Sequence, residues 1–113
     1  MKGLIIKPKW AELILNGEKT IEVRGSKTNI RGEIGIIKSG SKKVFGTVKL
    51  FDCVELREST FNLYKANHQL NISYDELLKV YSKPYAWCLK EVKKYNSPVA
   101  YEHKQGCVIW VNL

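Results

Sequence analysis

Long hydrophobic runs are missing from this chain, and so are most signatures of metal, disulfide or cofactor chemistry. No segment approaches the roughly 18 apolar residues that a membrane-spanning helix needs. The first apolar run, Leu4-Ile5-Ile6, stops at Lys7, too short for the apolar region of an export signal. The expectation is a soluble, unexported protein of the cytoplasm, with no membrane partner. Cysteine is scarce and odd in number, with Cys53, Cys88 and Cys107 and no CxxC spacing. That makes a poor disulfide framework and a poor zinc site. All three lie in apolar, strand-like stretches, which predicts buried free thiols. The two histidines, His68 and His103, are far apart and near no cysteine or paired carboxylate, so no metal is expected. No GxGxxG follows a strand, and no cofactor is implied.

Acid is also under-represented. Eleven Asp and Glu stand against nineteen Lys and Arg, for a net charge of +8. A small basic domain attracts polyanions through its summed field. Phosphate neutralisation alone supports non-specific nucleic-acid binding with dissociation constants of roughly 10⁻⁴ to 10⁻⁶ M. Only three of the cations are arginine (Arg24, Arg31, Arg57), and arginine is the more specific reader of phosphates and bases. The charge therefore points to anion binding in general before it points to sequence reading.

What is present is a hydrophobic fraction of 44% in 113 residues, enough for one core and one domain spanning residues 1–113. Residues 2–7 read as a strand. Pro8 suits the first turn of a helix, Trp10, Leu13 and Ile14 share one face, and Gly17 suits its end. Residues 19–24 alternate strictly, which predicts a strand with Ile21 and Val23 on one face and Thr20, Glu22 and Arg24 on the other. Residues 33–38 and 44–56 read as strands, with Gly46 permitting a bulge. A short helix is expected near 60–66, and Ser73 with Glu76 forms a capping box for a helix over 74–81. Residues 85–95 read as a strand (a helix over 87–95 is the alternative) that runs into a polar turn at Asn96–Pro98. Residues 107–111 read as the closing strand. About six short strands with two or three short helices predict a mixed α+β fold, a small, partly open β-barrel plugged by helices.

The segment richest in chemistry is residues 7–24. If the polar face of its strand lines a cleft, it presents a hydroxyl, a carboxylate and a guanidinium together. Arg24 would fork onto a phosphate or a base edge. Glu22 would accept from an exocyclic amine, or act as a base if burial raised its pKa. Lys19, at the helix-to-strand corner, would pair with a phosphate or polarise a carbonyl. The competing reading is a structural Glu22–Arg24 ion pair on a solvated strand.

The aromatic-bearing helix followed by Gly17-Glu18-Lys19-Thr20-Ile21-Glu22-Val23-Arg24 resembles the ASCH domain family. The resemblance continues through Arg31-Gly32, Ser39, Val44-Phe45-Gly46, Tyr85-Ala86-Trp87 and Gly106 to Trp110, and so covers nearly the whole chain. It implies a fold like that of the PUA superfamily, whose relatives often bind RNA, with a ligand site between the first helix and the barrel. It implies RNA, or a nucleotide or nucleoside, as the ligand, with Lys19, Glu22 and Arg24 in the site, Trp10 at its edge and Ser39 a further candidate; Lys9 and Thr20, on the same segment, are expected to bind the ligand with them. Some similar proteins are amidohydrolases of acylated cytidine, with a Lys-Thr-x-Thr motif whose second Thr is the nucleophile. Here that position is Glu22, and a carboxylate does not simply replace that hydroxyl. Others are ribonucleases relying on Lys, Tyr and Ser, for which Lys19, Tyr85 and Ser39 are the candidates. If the chain is an enzyme, Lys19 and Glu22 are its expected catalytic pair. Among the aromatics, Trp10 and Trp110 read as core, while Tyr85 and Trp87 read as the residues that would stack a base. A regulatory protein that binds another protein is a third possibility, and it would need an exposed apolar patch.

Overall fold

The computed structural model describes all 113 residues. Strand β1 (Lys2–Ile6) leads into helix α1 (Pro8–Leu15), which begins on Pro8 and stops where Gly17 takes a φ of +79°. Strand β2 is Ile21–Arg24, and Lys19 and Thr20 form the approach to it rather than part of it. Strands β3 (Gly32–Lys38) and β4 (Lys43–Glu55) form a hairpin. Three short helices follow, α2 (Glu58–Leu63), α3 (Lys65–His68) and α4 (Tyr74–Val80). Ser73 and Glu76 cap α4 reciprocally, as the spacing predicts. Strands β5 (Tyr85–Ala100) and β6 (Trp110–Asn112) complete the chain.

The sheet order is β2-β5-β4-β3-β1-β6. Only the β1–β3 pair is parallel; the others are antiparallel. The sheet curls into a half-barrel, and two contacts across the ladder order register the curl. Arg24 of β2 donates from Nη2 to the carbonyl of Ile5 in β1 at 3.1 Å. Trp87 of β5 stacks on Trp110 of β6, with ring centroids 5.7 Å apart and planes within 11°. The fold is the expected mixed α+β half-barrel of six strands, with four helices where two or three were expected.

Two cores flank β2. In the larger one, Ala11, Ile14 and Leu15 of α1 pack on Leu4, Ile36, Val48, Leu50 and Trp87. Each buried Leu, Ile or Val among them contributes on the order of 1.5–3 kcal/mol when taken from water. In the smaller one, Ile21, Val23 and Ala86 pack on Phe61 of α2 and Leu77 of α4. Glu12 anchors α1 to the sheet through Lys38 at 2.7 Å and Lys94 at 3.0 Å. Those two hydrogen bonds hold its carboxyl down to about 2.

Gly46 lies at the first of three shifts in the β4–β5 register. A Cβ there would lie 2.5 Å from the Lys93 carbonyl and 2.7 Å from Leu15, so close approach excludes a side chain.

The turn expected at Asn96–Pro98 is absent, because β5 runs on to Ala100. Lys94 pairs with Gly46 and Val99 with Val44, so the residues between them bulge out of the ladder, where the missing N–H of Pro98 costs no bond. The closing strand is shorter than expected, since Val108 and Ile109 lie outside it and are exposed. The three cysteines are half-buried rather than buried: in β5, for example, Cys88 alternates with the buried Trp87 and Leu89 and so faces away from the core they fill.

Candidate functional site

Lys19 enters the fold from a tightly tied turn, in which the backbone N–H groups of Glu18 and Lys19 both donate to the Leu13 carbonyl at 3.0 Å. The side chain then runs inward and is 1% exposed. Its ammonium donates to the carbonyl of His68, lies 3.7 Å from Glu22 Oε1 and sits 4.8 Å from the centroid of the Trp10 ring. The His68 carbonyl belongs to the last turn of α3, where carbonyls have no helical partner and a cation is favoured. Burial drives the Lys19 pKa from 10.5 down to about 8; attraction to Glu22 opposes the fall and Arg24 adds to it.

Glu22 is also enclosed. Its Oε2 accepts from Arg24 Nε at 2.9 Å, and its side chain is 8% exposed. Arg24 spends its Nη2 on Ile5 and lies over Trp87, 5.6 Å from the ring centroid. Three charges of net +1 are therefore locked together on the inner face of β2. Removing Glu22 would leave two enclosed cations without their carboxylate, at a cost of about 3–5 kcal/mol, the usual penalty for a broken buried pair.

The seat of Lys19 depends on His68, which is fully buried. Leu70 N–H donates to its Nδ1 at 3.0 Å, so the proton sits on Nε2, which donates to the Phe61 carbonyl at 2.8 Å. The ring stacks on Phe61 at 4.3 Å, and burial lowers its pKa, keeping it neutral. Gln69, in the left-handed region at φ 62°, then turns the chain back over the site.

Above the triad lies a cleft of about 670 Å³. Lys7, Lys9, Trp10, Glu22, Arg24 and Ser39 supply its polar and aromatic walls, and the segment from Gln69 to Ile72 with the end of α4 forms the opposite side. Glu22 is its only acidic lining residue, and both Lys19 and Arg24 already neutralise it. Neither Lys7 nor Lys9 has an acidic partner within ion-pair distance. Lys9 lies against the Trp10 ring at 4.8 Å.

This arrangement, with a lysine and a glutamate behind a cleft between the first helix and a curled sheet, accompanies a family match. A model of the ASCH domain matches residues 4–99. The chain belongs to the ASCH domain family. Its fold is similar to the crystal structure of ASCH from Zymomonas mobilis, with a TM-score of 0.69 at 21% identity over 88% of this chain and 72% of that one. A serine-to-alanine mutant of that protein gives 0.71 at 19% identity over 99% and 87%. No curated protein matches this sequence.

In this ASCH domain the expected site residues divide into three groups. Lys9, Trp10, Glu22, Arg24 and Ser39 line the cleft. Lys19 and Thr20 support it from behind. Thr20 Oγ1 accepts from Asn67 Nδ2 at 3.0 Å and fixes the loop that carries His68. Tyr85 and Trp87 lie outside the cleft. Trp87 is a core residue, 2% exposed, and its Nε1 donates to the Ser26 carbonyl at 2.9 Å. Trp110 stacks on one side of it and Arg24 lies over the ring, so it presents no surface for a base, which corrects the expectation from sequence. The half-buried Tyr85 pairs with Arg24 and Glu55 in the ladders and extends the same core. Trp10, expected both in the core and at the edge of the site, is half-buried: it packs against the larger core and walls the cleft. His68 and the Gln69–Ile72 segment carry no periodic or motif signal, and only the fold reveals their part.

Proposed function

We propose that this ASCH domain binds single-stranded RNA, or a nucleotide of it, in the cleft beside α1. The observation that carries the reading is the uncompensated pair Lys7 and Lys9. They flank the start of α1, which has no side-chain cap and no acid in its first turn. Unpaired N–H groups and the helix dipole add positive potential to the same place. A phosphate would sit there. Glu22 and the remaining Arg24 nitrogen, Nη1, would face the base, and Trp10 would flank it. Lys19 holds Glu22 in position and does not reach the ligand.

Titration of a short fluorescent RNA at several salt concentrations tests this. Affinity should fall with salt, with a log–log slope of about −0.7 for each phosphate neutralised. Lys7→Ala with Lys9→Ala should flatten that slope, while Lys93→Ala, remote from the cleft, should not. Binding that ignores salt, or no binding, overturns the reading.

One observation favours a second reading, hydrolysis of RNA or of an acylated nucleoside. The lowered pKa of Lys19, to about 8, beside Glu22 is what an acid–base pair requires. Incubation with both substrate classes decides it. Turnover lost in Lys19→Ala and Glu22→Gln but kept in Lys93→Ala supports it, and no turnover across the panel ends it.

A further inference from the structure

The cleft does not stop at Ser39. A second hollow of about 360 Å³ shares Ile5, Ser39 and Val108 with it, so the two adjoin along these residues as a two-part trough. The far end is built by the β3–β4 hairpin and by the segment between β5 and β6. The hairpin brings Lys42, and the segment brings Tyr101, His103 and Cys107. The Tyr101 N–H donates to the Lys42 carbonyl at 3.2 Å, tying the two pieces together. The Tyr101 hydroxyl and His103 Nδ1 are hydrogen-bonded at 2.9 Å, and their rings meet edge to face at 5.8 Å.

Three features of this end go together. It contains a cation and no carboxylate. That cation, Lys42, has no ion-pair partner and is one of three non-glycine residues with positive φ, at 57°, a conformation that costs a lysine free energy. Two coupled aromatic rings line the same hollow. A cationic site next to an aromatic ring face, repeated along a groove, is how single-stranded nucleic acid is held without sequence readout.

We propose that this second hollow is a subsite for the next nucleotide of the same RNA strand, with Lys42 on its phosphate and the Tyr101–His103 pair against its base. The strand crosses between the hollows at Ser39, which lines both. Two separate recesses require splayed, unstacked bases, so the ligand is single-stranded and at least a dinucleotide. This rests on the reading of the first cleft as an RNA site and extends it.

The experiment compares a nucleoside monophosphate, a dinucleotide and a tetranucleotide by titration against the wild type, Lys42→Gly and Tyr101→Leu. Glycine accepts the backbone conformation at position 42, so Lys42→Gly removes the charge without strain. Tyr101→Leu keeps an apolar side chain against Ile37 and Val44 while removing the ring. The dinucleotide should bind the wild type about 10-fold or more tighter than the monophosphate, and Tyr101→Leu should weaken the dinucleotide by about 5- to 150-fold. Lys42→Gly should reduce the salt slope for the dinucleotide by about 0.7. Neither variant should alter the monophosphate. A monophosphate that binds as tightly as the dinucleotide, or variants that weaken both alike, overturns the subsite and leaves the first cleft standing. If the wild type binds none of the three, both readings fall.

Discussion

Arg24 in β2 donates to the carbonyl of Ile5 in β1 at 3.1 Å, although four ladder pairings separate those strands in the sheet order. One guanidinium thus registers the curl of the half-barrel. Its Nε holds Glu22 at 2.9 Å, so the same side chain shapes the sheet and the cleft wall.

Arg24→Ala should therefore cost stability as well as ligand affinity. Loss of two hydrogen bonds involving charged groups should lower unfolding stability by about 2–4 kcal/mol. Arg24→Lys should recover only part of this, because an ammonium cannot serve Glu22 and Ile5 with a fork. Urea denaturation of the three proteins measures it. Equal midpoints would show that the guanidinium does not brace the sheet.

Lys19 should give stability an alkaline ramp. Its pKa is about 8 in the fold against 10.5 as the reference. Below pH 8 it is charged in both states, and the fold bears the whole cost of burying that charge. Between pH 8 and 10.5 the folded state releases the proton first. The unfolded state then binds more protons, and stability rises with pH by on the order of 3 kcal/mol in total. Above 10.5 the gain is complete. Subtracting the profile of Lys19→Met from that of the wild type isolates the ramp, and a flat difference refutes it.

Gly46→Ala should destabilise the chain by about 1–3 kcal/mol through overpacking. The new methyl would meet the Lys93 carbonyl, which is backbone and cannot swing aside, as well as Leu15 of α1. Thermal unfolding would show it as a fall in Tm. An unchanged Tm would mean that the β4–β5 register relaxes freely.

Much of the chain was legible from its residues because local signals carry their own physics. Pro8 and Gly17 bounded α1, the Ser73–Glu76 box opened α4, and strict alternation showed that Glu22 and Arg24 share a face opposite Ile21 and Val23. The grouping of most candidate residues was legible to the same depth. Lys9, Trp10, Glu22, Arg24 and Ser39 do meet in one cleft. The errors fell where local pattern underdetermines the outcome. Pro98 reads as a turn until a bulge in β5 absorbs it. Trp87 reads as a base platform until Trp110 arrives from the far end of the chain and covers it.

The sequence by itself determined most element types, the alternation of strand faces and the excess of positive charge, because those follow from residue period and composition. Tertiary structure alone decided that both faces of β2 are buried, since α1 and the barrel interior lie on one side while α2 and α4 lie on the other. That enclosure strips water from Lys19 and Glu22 and leaves Lys7, Lys9 and Lys42 as the free charges of the trough. Desolvation depends on what packs against a side chain from distant parts of the chain, which no local pattern encodes.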